Sequence, residues 1–474
     1  MPAVRSLFAV TLTSALITAA ATGQPPLPAF ANTIDAIPPG WTGPVFQLSK
    51  AYPPTMPAGE PKPWKMFDYK TQPDEYIRAV FAYCREGNEA AEWVGQDNAV
   101  RKWYHAPGLV KGDNGREFIR GLTRERTSRA KDLAPTQTQP WSNFAVGLYN
   151  PTAAYTVGRV WQDPTAPNPD GVKFEDGSVG VKLLFTTAAA DQVPFLANSK
   201  EWQANISLPG TNARTPQTVR LLQVDVAVRD ARADATTGWV FGTFMYQADA
   251  TGATPYDRLV PVGLTWGNDP DLTPAKAAMG ETPKESWINP ASISPHKGWL
   301  GRLNGPVDNP ISSCLSCHGR AGSPQTNDLV FPNGATDDQK MAFFTNVKAG
   351  DPYTPGLKSF DYSLQLGIGV RNFPTPVPTP DGKASATPVP PVPMGFNARA
   401  GEIDPHHPAD TSGPDPERRG PPGSANTRSL PVPDGWSIII PAIIVVIVLA
   451  VILLAFVVIR RKKAPPPTAP PSRT

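Results

Sequence analysis

Short segments in which apolar and polar positions alternate fill much of the chain after about residue 140. Each segment is rich in β-branched or aromatic side chains and is bounded by Gly, Pro, Asn or Asp, a pattern typical of β-strands. The segments run from Tyr155 to Trp161, Val179 to Thr186, Val219 to Arg229, Trp239 to Gln247 and Leu259 to Trp266. Together they predict an antiparallel sheet or sandwich.

The third of these segments shows the alternation most clearly. Its apolar positions are Leu222, Val224, Val226 and Val228, and its polar positions are Gln223, Asp225 and Arg229. Successive side chains of a strand point to opposite sides of the sheet. We therefore expect one face of this strand to be buried and the other to be exposed to solvent.

Helical patterns flank the predicted sheet. Pro73 opens a helix that should end near Gly87, because acidic residues follow the proline and a glycine suits the C-cap. Cys84 lies on the apolar side of this helix, which favours a buried structural thiol. Downstream, Thr336 begins a capping-box pattern that predicts a helix through about Lys348.

The first 31 residues have the pattern of a secretory signal peptide. Arg5 precedes an apolar run from Leu7 to Ala21, and Ala29-Phe30-Ala31 supplies the small residues of a cleavage site. The run is too short to span a bilayer, which argues against a membrane helix at this end. We therefore expect residues 1–31 to be removed on export.

An apolar run near the other end of the sequence predicts a transmembrane helix in residues 434–459. As a helix, Ile438 to Ile459 would be about 33 Å long, enough to cross a hydrocarbon core. Arg460-Arg461-Lys462-Lys463 follows directly, so the positive-inside rule places residues 460–474 in the cytoplasm. The preceding residues 373–433 are rich in Pro, Gly, Ser and Thr, the composition of a semi-extended spacer.

Charge and composition exclude several functions. The 474 residues carry a formal net charge of +3, but Arg5 and five basic residues of the tail lie outside the expected exported part, which is left slightly acidic. Such a body lacks the basic surface that nucleic-acid binding requires. The sequence also has no G-x-S-x-G, no Walker loop, no H-E-x-x-H and no dinucleotide fingerprint. No catalytic residue is predicted outside the motif described next.

Cys314-Leu315-Ser316-Cys317-His318 is a C-x-x-C-H sequence, the pattern with the most specific chemistry in the chain. Two thiols three positions apart can each bond one vinyl carbon of a haem, while the adjacent imidazole ligates the iron. A structural zinc site would need two further Cys or His ligands, and a thioredoxin-like pair would need a preceding strand of a βαβ unit. The sequence suggests neither, and a plain disulfide is the remaining alternative.

This motif resembles the attachment site of c-type cytochromes, in which Gly319 is also a common following residue. The resemblance covers about fifteen residues and does not extend to the upstream body. It implies that Cys314 and Cys317 form thioethers to one haem c and that His318 is the proximal axial ligand of the iron. Typical small members carry the motif at the end of an N-terminal helix of a compact all-helical domain, whereas here Pro310 and a turn precede it.

The sixth ligand of the iron is left open by the sequence. Met394, flanked by Pro393 and Gly395, resembles the loop methionines of the family, and Met341, His105 and His296 are the other candidates. A thioether ligand favours electron transfer by stabilising reduced iron, and a histidine usually lowers the potential. An open position would permit ligand binding or oxidant chemistry.

A further helix is predicted from Arg116 to Arg126, with Phe118, Ile119 and Leu122 buried. Its other side carries Arg116, Arg120 and Arg124 at four-residue spacing. Such a stripe suits the neutralisation of haem propionates, and the alternative is an ordinary solvated helix face.

Taken together, the patterns predict an α+β fold. An antiparallel, sheet-rich exported body with peripheral helices occupies residues 32–300, and a short haem c segment occupies residues 301–372. The spacer and one C-terminal transmembrane helix follow. The expected function is one-electron transfer by a periplasmic monohaem c-type cytochrome, anchored in the inner membrane, with redox proteins as partners.

Two other functions stay open at this stage. The first is a haem-dependent oxidoreductase, peroxidase-like or oxidase-like, whose pocket is formed by the upstream body. The second is a haem-based module that binds or senses a small ligand.

Overall fold

The computed structural model describes residues 33, 35, 37–110, 115–208, 213–326 and 328–373, and two short strands beyond them. The predicted signal peptide, most of the predicted spacer, the predicted transmembrane helix and the basic tail lie outside the described residues. Within the described part, no helix combines the length and the apolar character needed to cross a membrane.

The helices are few and mostly short. The α-helices are α1 (Pro73–Arg85), α2 (Pro151–Val160), α3 (Pro274–Ala278), α4 (Cys314–His318), α5 (Asp337–Met341) and α6 (Leu364–Asn372). Short 3-10 helices cover Pro63–Met66, Pro194–Leu196, Ala231–Ala233, Pro255–Arg258, Trp299–Gly301 and Ala342–Phe344.

Strands dominate the regular structure. They are β1 (Thr123–Arg124), β2 (Asn143–Tyr149), β3 (Val179–Thr186), β4 (Glu201–Ile206), β5 (Thr215–Arg229), β6 (Trp239–Tyr246), β7 (Leu259–Thr265), β8 (Ser286–Ile288), β9 (Gly322–Ser323), β10 (Lys358–Ser359), β11 (Val377–Pro378) and β12 (Ala384–Ser385). An eight-stranded antiparallel sheet has the order β1-β2-β3-β5-β6-β7-β8, with β4 paired to β5 beside this path. β9 pairs with β10, and β11 with β12.

One face of the sheet, the first face, packs against α1 and forms the main hydrophobic core. Val181, Leu183 and Val224 contribute to it from the central strands, and Ile77 contributes from the helix. A Cβ atom at Gly242 would collide with the Ile77 side chain, so this glycine allows the helix to approach the sheet closely. The apolar side of α1 therefore faces inward, as its spacing predicted, and Cys84 on that side is fully buried with a free thiol.

The opposite face of the sheet, the second face, is covered by the motif segment, which is residues 301–372 and carries the C-x-x-C-H motif. A second hydrophobic cluster joins Trp239 and Phe241 of β6 to Leu315, Phe360 and Tyr362 of that segment. The sheet is therefore buried on both sides, which is less usual for antiparallel strands than for parallel ones.

The predicted α+β class is wrong. The described residues form a mostly antiparallel sheet body with few helices, and only three helices contain nine or more residues. The transmembrane helix that formed part of the same prediction lies outside the described residues. Four of the five predicted strands are present as β3, β5, β6 and β7. The prediction therefore erred chiefly by expecting more helix than the structure has.

The remaining predicted strand, Tyr155 to Trp161, is helical. It belongs to α2, which starts because the Asn150 side chain accepts a hydrogen bond from the Ala153 N–H (2.9 Å) and Pro151 occupies the first turn. Local capping thus overrode the β propensity of the aromatic and β-branched residues that follow.

The predicted helix from Arg116 to Arg126 is absent. The Glu117 carboxylate accepts hydrogen bonds from the backbone N–H groups of Ile119 (2.6 Å) and Leu122 (3.1 Å), which holds the chain in a turn that leads into β1. The three arginines consequently do not form a stripe on a helix. The predicted helix after Thr336 begins with the expected capping box, but it ends at Met341 and continues only as a 3-10 turn to Phe344.

The polar face of β5 was predicted to be wet, and this is wrong. Gln223 is fully buried and Asp225 is half-buried, because the motif segment covers them. Alternation alone reports that two faces differ in polarity, not that the polar one meets solvent.

We predict that Leu183→Ala lowers the free energy of unfolding by about 2–5 kcal/mol, because Leu183 is fully buried in the main hydrophobic core. Urea unfolding followed by circular dichroism measures this. The control is Met279→Ala, whose side chain is 76 % exposed and which should change the value by less than about 0.5 kcal/mol. Equal effects of the two substitutions would contradict the placement of the core.

Candidate functional site

The C-x-x-C-H motif forms its own short helix, α4. Ser313 caps it: the Ser313 hydroxyl accepts from the Ser316 N–H (3.1 Å), and the Ser313 N–H donates to the Ser316 hydroxyl (2.8 Å). Residues three apart on a helix lie on the same side, so Cys314 and Cys317 face a common space. No helix lies in the described residues 302–313 that lead into the motif, as the position of Pro310 predicted.

A large cavity lies between the motif segment and the second face of the sheet. Cys314, Cys317 and His318 line it, together with residues of β2, β3, β5 and β6. Its empty volume is about 1540 Å³ when the space at its open mouth is included.

Two cross-strand rows form the floor of the cavity. One row consists of Tyr149, Gly180, Ala227 and Phe241, and the neighbouring row consists of Gly147, Lys182, Asp225 and Thr243. The first row is apolar, and a Cβ atom added at Gly180 would meet only the Ala227 methyl at 4.0 Å. Small residues between aromatic ones leave a flat strip on which a planar ring system fits.

The hydrogen bonding of His318 leaves one ring nitrogen able to bind a metal. Its Nδ1 lies 3.0 Å from the Tyr362 carbonyl oxygen, and because a carbonyl can only accept, Nδ1 must carry the hydrogen. Burial and the positive charge of Lys182 lower the pKa of His318 to about 4, so the ring is neutral. The lone pair of the neutral ring is then on Nε2, which is the arrangement of metal-ligating histidines.

The carbonyl that orients His318 is itself held by an unusual turn. Asp361 and Tyr362 both have positive φ values, 47° and 69°, a region that side-chain-bearing residues seldom adopt. The Asp361 carboxylate accepts from the Trp239 indole (2.8 Å), the Phe174 N–H (2.6 Å) and the Gly350 N–H (3.0 Å). These three bonds tie the strained turn to β6 and to two loops.

The two cysteines of the motif are held as neutral thiols. Burial raises the pKa of Cys317 to about 12 and that of Cys314 well above its usual value, and the Asp308 carboxylate adds to both shifts. Redox-active C-x-x-C pairs have the opposite shift, because their nucleophile is a thiolate near neutral pH. Among the described residues, no group of three or more His, Cys, Asp or Glu side chains is arranged to hold a metal ion.

The residues present fit a covalently bound haem. Cys314 and Cys317 would hold it and His318 would ligate its iron, while the apolar row and Trp239 would pack against the ring system. When bound, such a group supplies a redox-active iron. The chain's own part would be to orient His318, to bury the macrocycle and to place charged groups beside it.

The charged groups of the cavity form one cluster near the cysteines. Lys182 and Asp225 lie opposite each other on adjacent strands, with Nζ 3.0 Å from Oδ2. The other oxygen of Asp225 accepts from the Thr243 hydroxyl (2.9 Å). Glu125 and Asp308 line the same space. Burial raises the pKa of Glu125 and of Asp225, and in each case the Lys182 charge opposes the rise.

None of the described candidates for the sixth ligand lines this cavity. His105 is buried elsewhere, where its Nδ1 accepts from the Ser49 N–H (3.1 Å) and its ring packs on Phe46. His296 lies near Asp308, and Met341 lies at the end of α5. Met394 lies outside the described residues. The sixth ligand is therefore still open.

Sequence reasoning missed the charged cluster. Lys182 and Asp225 lie in two strands that were predicted correctly, but Asp225 was assigned to a solvent face and Lys182 was given no role. A usable signal was present, since a lysine and an aspartate stand in otherwise apolar strands and can pair across a sheet. Glu125 belonged to the helix that does not form, and no pattern singled out Asp308. Of the arginines in that helix, Arg124 borders the cavity, but its guanidinium lies over the Phe144 ring on the first face.

We predict that Asp361→Ala lowers the free energy of unfolding by about 3 kcal/mol or more, because two buried donors and the half-buried Gly350 N–H lose their acceptor. Asp361→Asn, which keeps the volume and one acceptor oxygen, should cost less, about 1–2 kcal/mol. Thermal and urea unfolding of the two variants measure the difference. A loss below about 0.5 kcal/mol in Asp361→Ala would contradict the role given to this carboxylate.

Comparison with known proteins adds no family to these observations. No protein-family model matches the chain, and neither a curated protein nor a solved structure matches it. The candidate site therefore depends on the residues and the geometry of this chain.

Proposed function

We propose that this chain is a monohaem c-type haem protein, with haem attached through Cys314 and Cys317 and with His318 as the proximal ligand. The observation that carries the proposal is the state of His318: neutral, with Nδ1 donating to the Tyr362 carbonyl, beside two cysteines that line the same cavity. The raised pKa values of the thiols support haem attachment over thiol exchange.

Within this proposal, a haem-dependent oxidoreductase or ligand-binding role is favoured. The upstream strands form the floor of the cavity, so the body that precedes the motif would supply much of the wall of the haem site. Charged side chains capable of exchanging protons lie in the same space.

One-electron transfer between redox proteins is the second candidate. Met394 in its Pro393-Met394-Gly395 setting favours it, because a thioether ligand stabilises reduced iron. The signal-peptide pattern and the apolar C-terminal run support the further proposal that the body is exported and tethered to the inner membrane.

We predict that the full-length chain, co-expressed with a haem-attachment apparatus, carries one haem that acid–acetone does not extract. Cys314→Ala and Cys317→Ala should each lose one thioether, which shifts the α-band of the pyridine haemochrome and lowers the haem content. Cys84→Ala is the matched control, because Cys84 lies on α1 in the main hydrophobic core, and its replacement should leave the haemochrome unchanged. Haem retained by Cys314→Ala in the same amount and linkage as in the parent chain would count against attachment.

The favoured role predicts that ferrous haem in the loaded protein binds carbon monoxide, with a shift of the Soret band. Absorbance spectra at neutral pH, with and without the gas, measure this directly. A six-coordinate low-spin haem whose spectrum carbon monoxide does not change would contradict the favoured role and support electron transfer instead.

A further inference from the structure

The charged end of the cavity contains more negatively charged than positively charged side chains. Glu125, Asp225 and Asp308 line it with one ammonium group, that of Lys182. Arg124 also borders the cavity, but its guanidinium donates to Ser207 (3.1 Å) and Ser142 (3.3 Å) and lies over the Phe144 ring, on the other face of the sheet. The cluster therefore carries more carboxylates than cations.

Most of this charge is already engaged inside the protein. Asp225 accepts from Lys182, Thr243 and Gln223, the last through Nε2 at 2.7 Å and 2.9 Å. Asp308 accepts from the Gly305 N–H (3.0 Å) and from Gln223 (3.4 Å). Lys182 is likewise held by its ion pair.

Glu125 differs from its neighbours. Its backbone N–H donates to the Asn143 carbonyl oxygen (2.9 Å), which fixes the residue beside β2. Its side chain lines the cavity. Within the part of the chain that the structure describes, its carboxylate accepts no hydrogen bond and lies in no ion pair. A carboxylate in a cavity without donors of its own is an acceptor available to a ligand.

We propose that this end of the cavity binds small neutral or cationic molecules that carry N–H or O–H groups, that Glu125 accepts their hydrogen bond, and that anions are disfavoured. A donor gains a charge-assisted hydrogen bond to Glu125 in a partly dry space. An anion meets the excess of carboxylates, and the attraction of Lys182 is offset by its partner Asp225. The inference rests on the proposed function, because bound iron reports the ligand.

The test compares ligands of different charge on the haem-loaded, full-length protein. Ferric protein is titrated with azide, an anion, and with imidazole, a neutral N–H donor, and binding is followed by absorbance. Ferrous protein is titrated with carbon monoxide, which is neutral and donates no hydrogen bond. Glu125→Gln removes the charge and keeps the shape, and Glu125→Ala is a second variant with the same change of charge.

We expect Glu125→Gln to lower the Kd for azide about tenfold, to raise the Kd for imidazole about threefold and to leave carbon monoxide binding within twofold. Glu175→Gln is the matched control, since Glu175 is exposed and does not line the cavity. It should change none of the three affinities. Circular dichroism and haem content confirm that each variant is folded and loaded.

The outcomes separate the inference from the proposed function. Covalent haem with an azide affinity that neither Glu125 variant changes would overturn the inference and leave haem attachment standing. An equal change in Glu175→Gln would overturn it as well, because the effect would then be one of overall charge. Absence of covalent haem from the parent protein would overturn both.

Discussion

The burial of the central sheet on both faces is the constraint on which the rest of the structure depends. Antiparallel strands often leave one face in water, where polar side chains need no protein partner. Here α1 covers the first face and the motif segment covers the second. Polar residues on the second face must therefore bond to one another or border a cavity, and the Lys182–Asp225 pair does both.

The same constraint joins the C-x-x-C-H motif to residues far upstream in the sequence. α4 is too short to build a site alone, and its capping box fixes only its own backbone. One contact that ties the cover to the sheet is the hydrogen bond from the Trp239 indole to Asp361 (2.8 Å). Through the neighbouring Tyr362 carbonyl, that contact also sets the orientation of His318. The upstream sheet is thus a wall of the site and not a separate module.

Much of the sheet could be predicted because its strands alternate with period two over apolar cores, as in β3, β5, β6 and β7. The wrongly predicted strand and helix each have a local cause that hydrophobic periodicity does not reveal. Asn150 capped a helix where propensity favoured a strand, and Glu117 drew backbone N–H groups into a turn where spacing favoured a helix. The motif itself was visible from three residues, since its chemistry is local. The charged cluster was not, because Glu125, Lys182 and Asp308 come from distant parts of the chain and meet only in the fold.

The central claim is that iron is bound by His318 inside the cavity between the sheet and the motif segment. A crystal structure of the haem-loaded protein with anomalous data at the iron absorption edge tests this most directly. The account predicts one iron peak in this cavity, at bonding distance from His318 Nε2, with continuous density to both motif cysteines. Iron at any other place, or a disulfide between Cys314 and Cys317 in a cavity without iron, would contradict it.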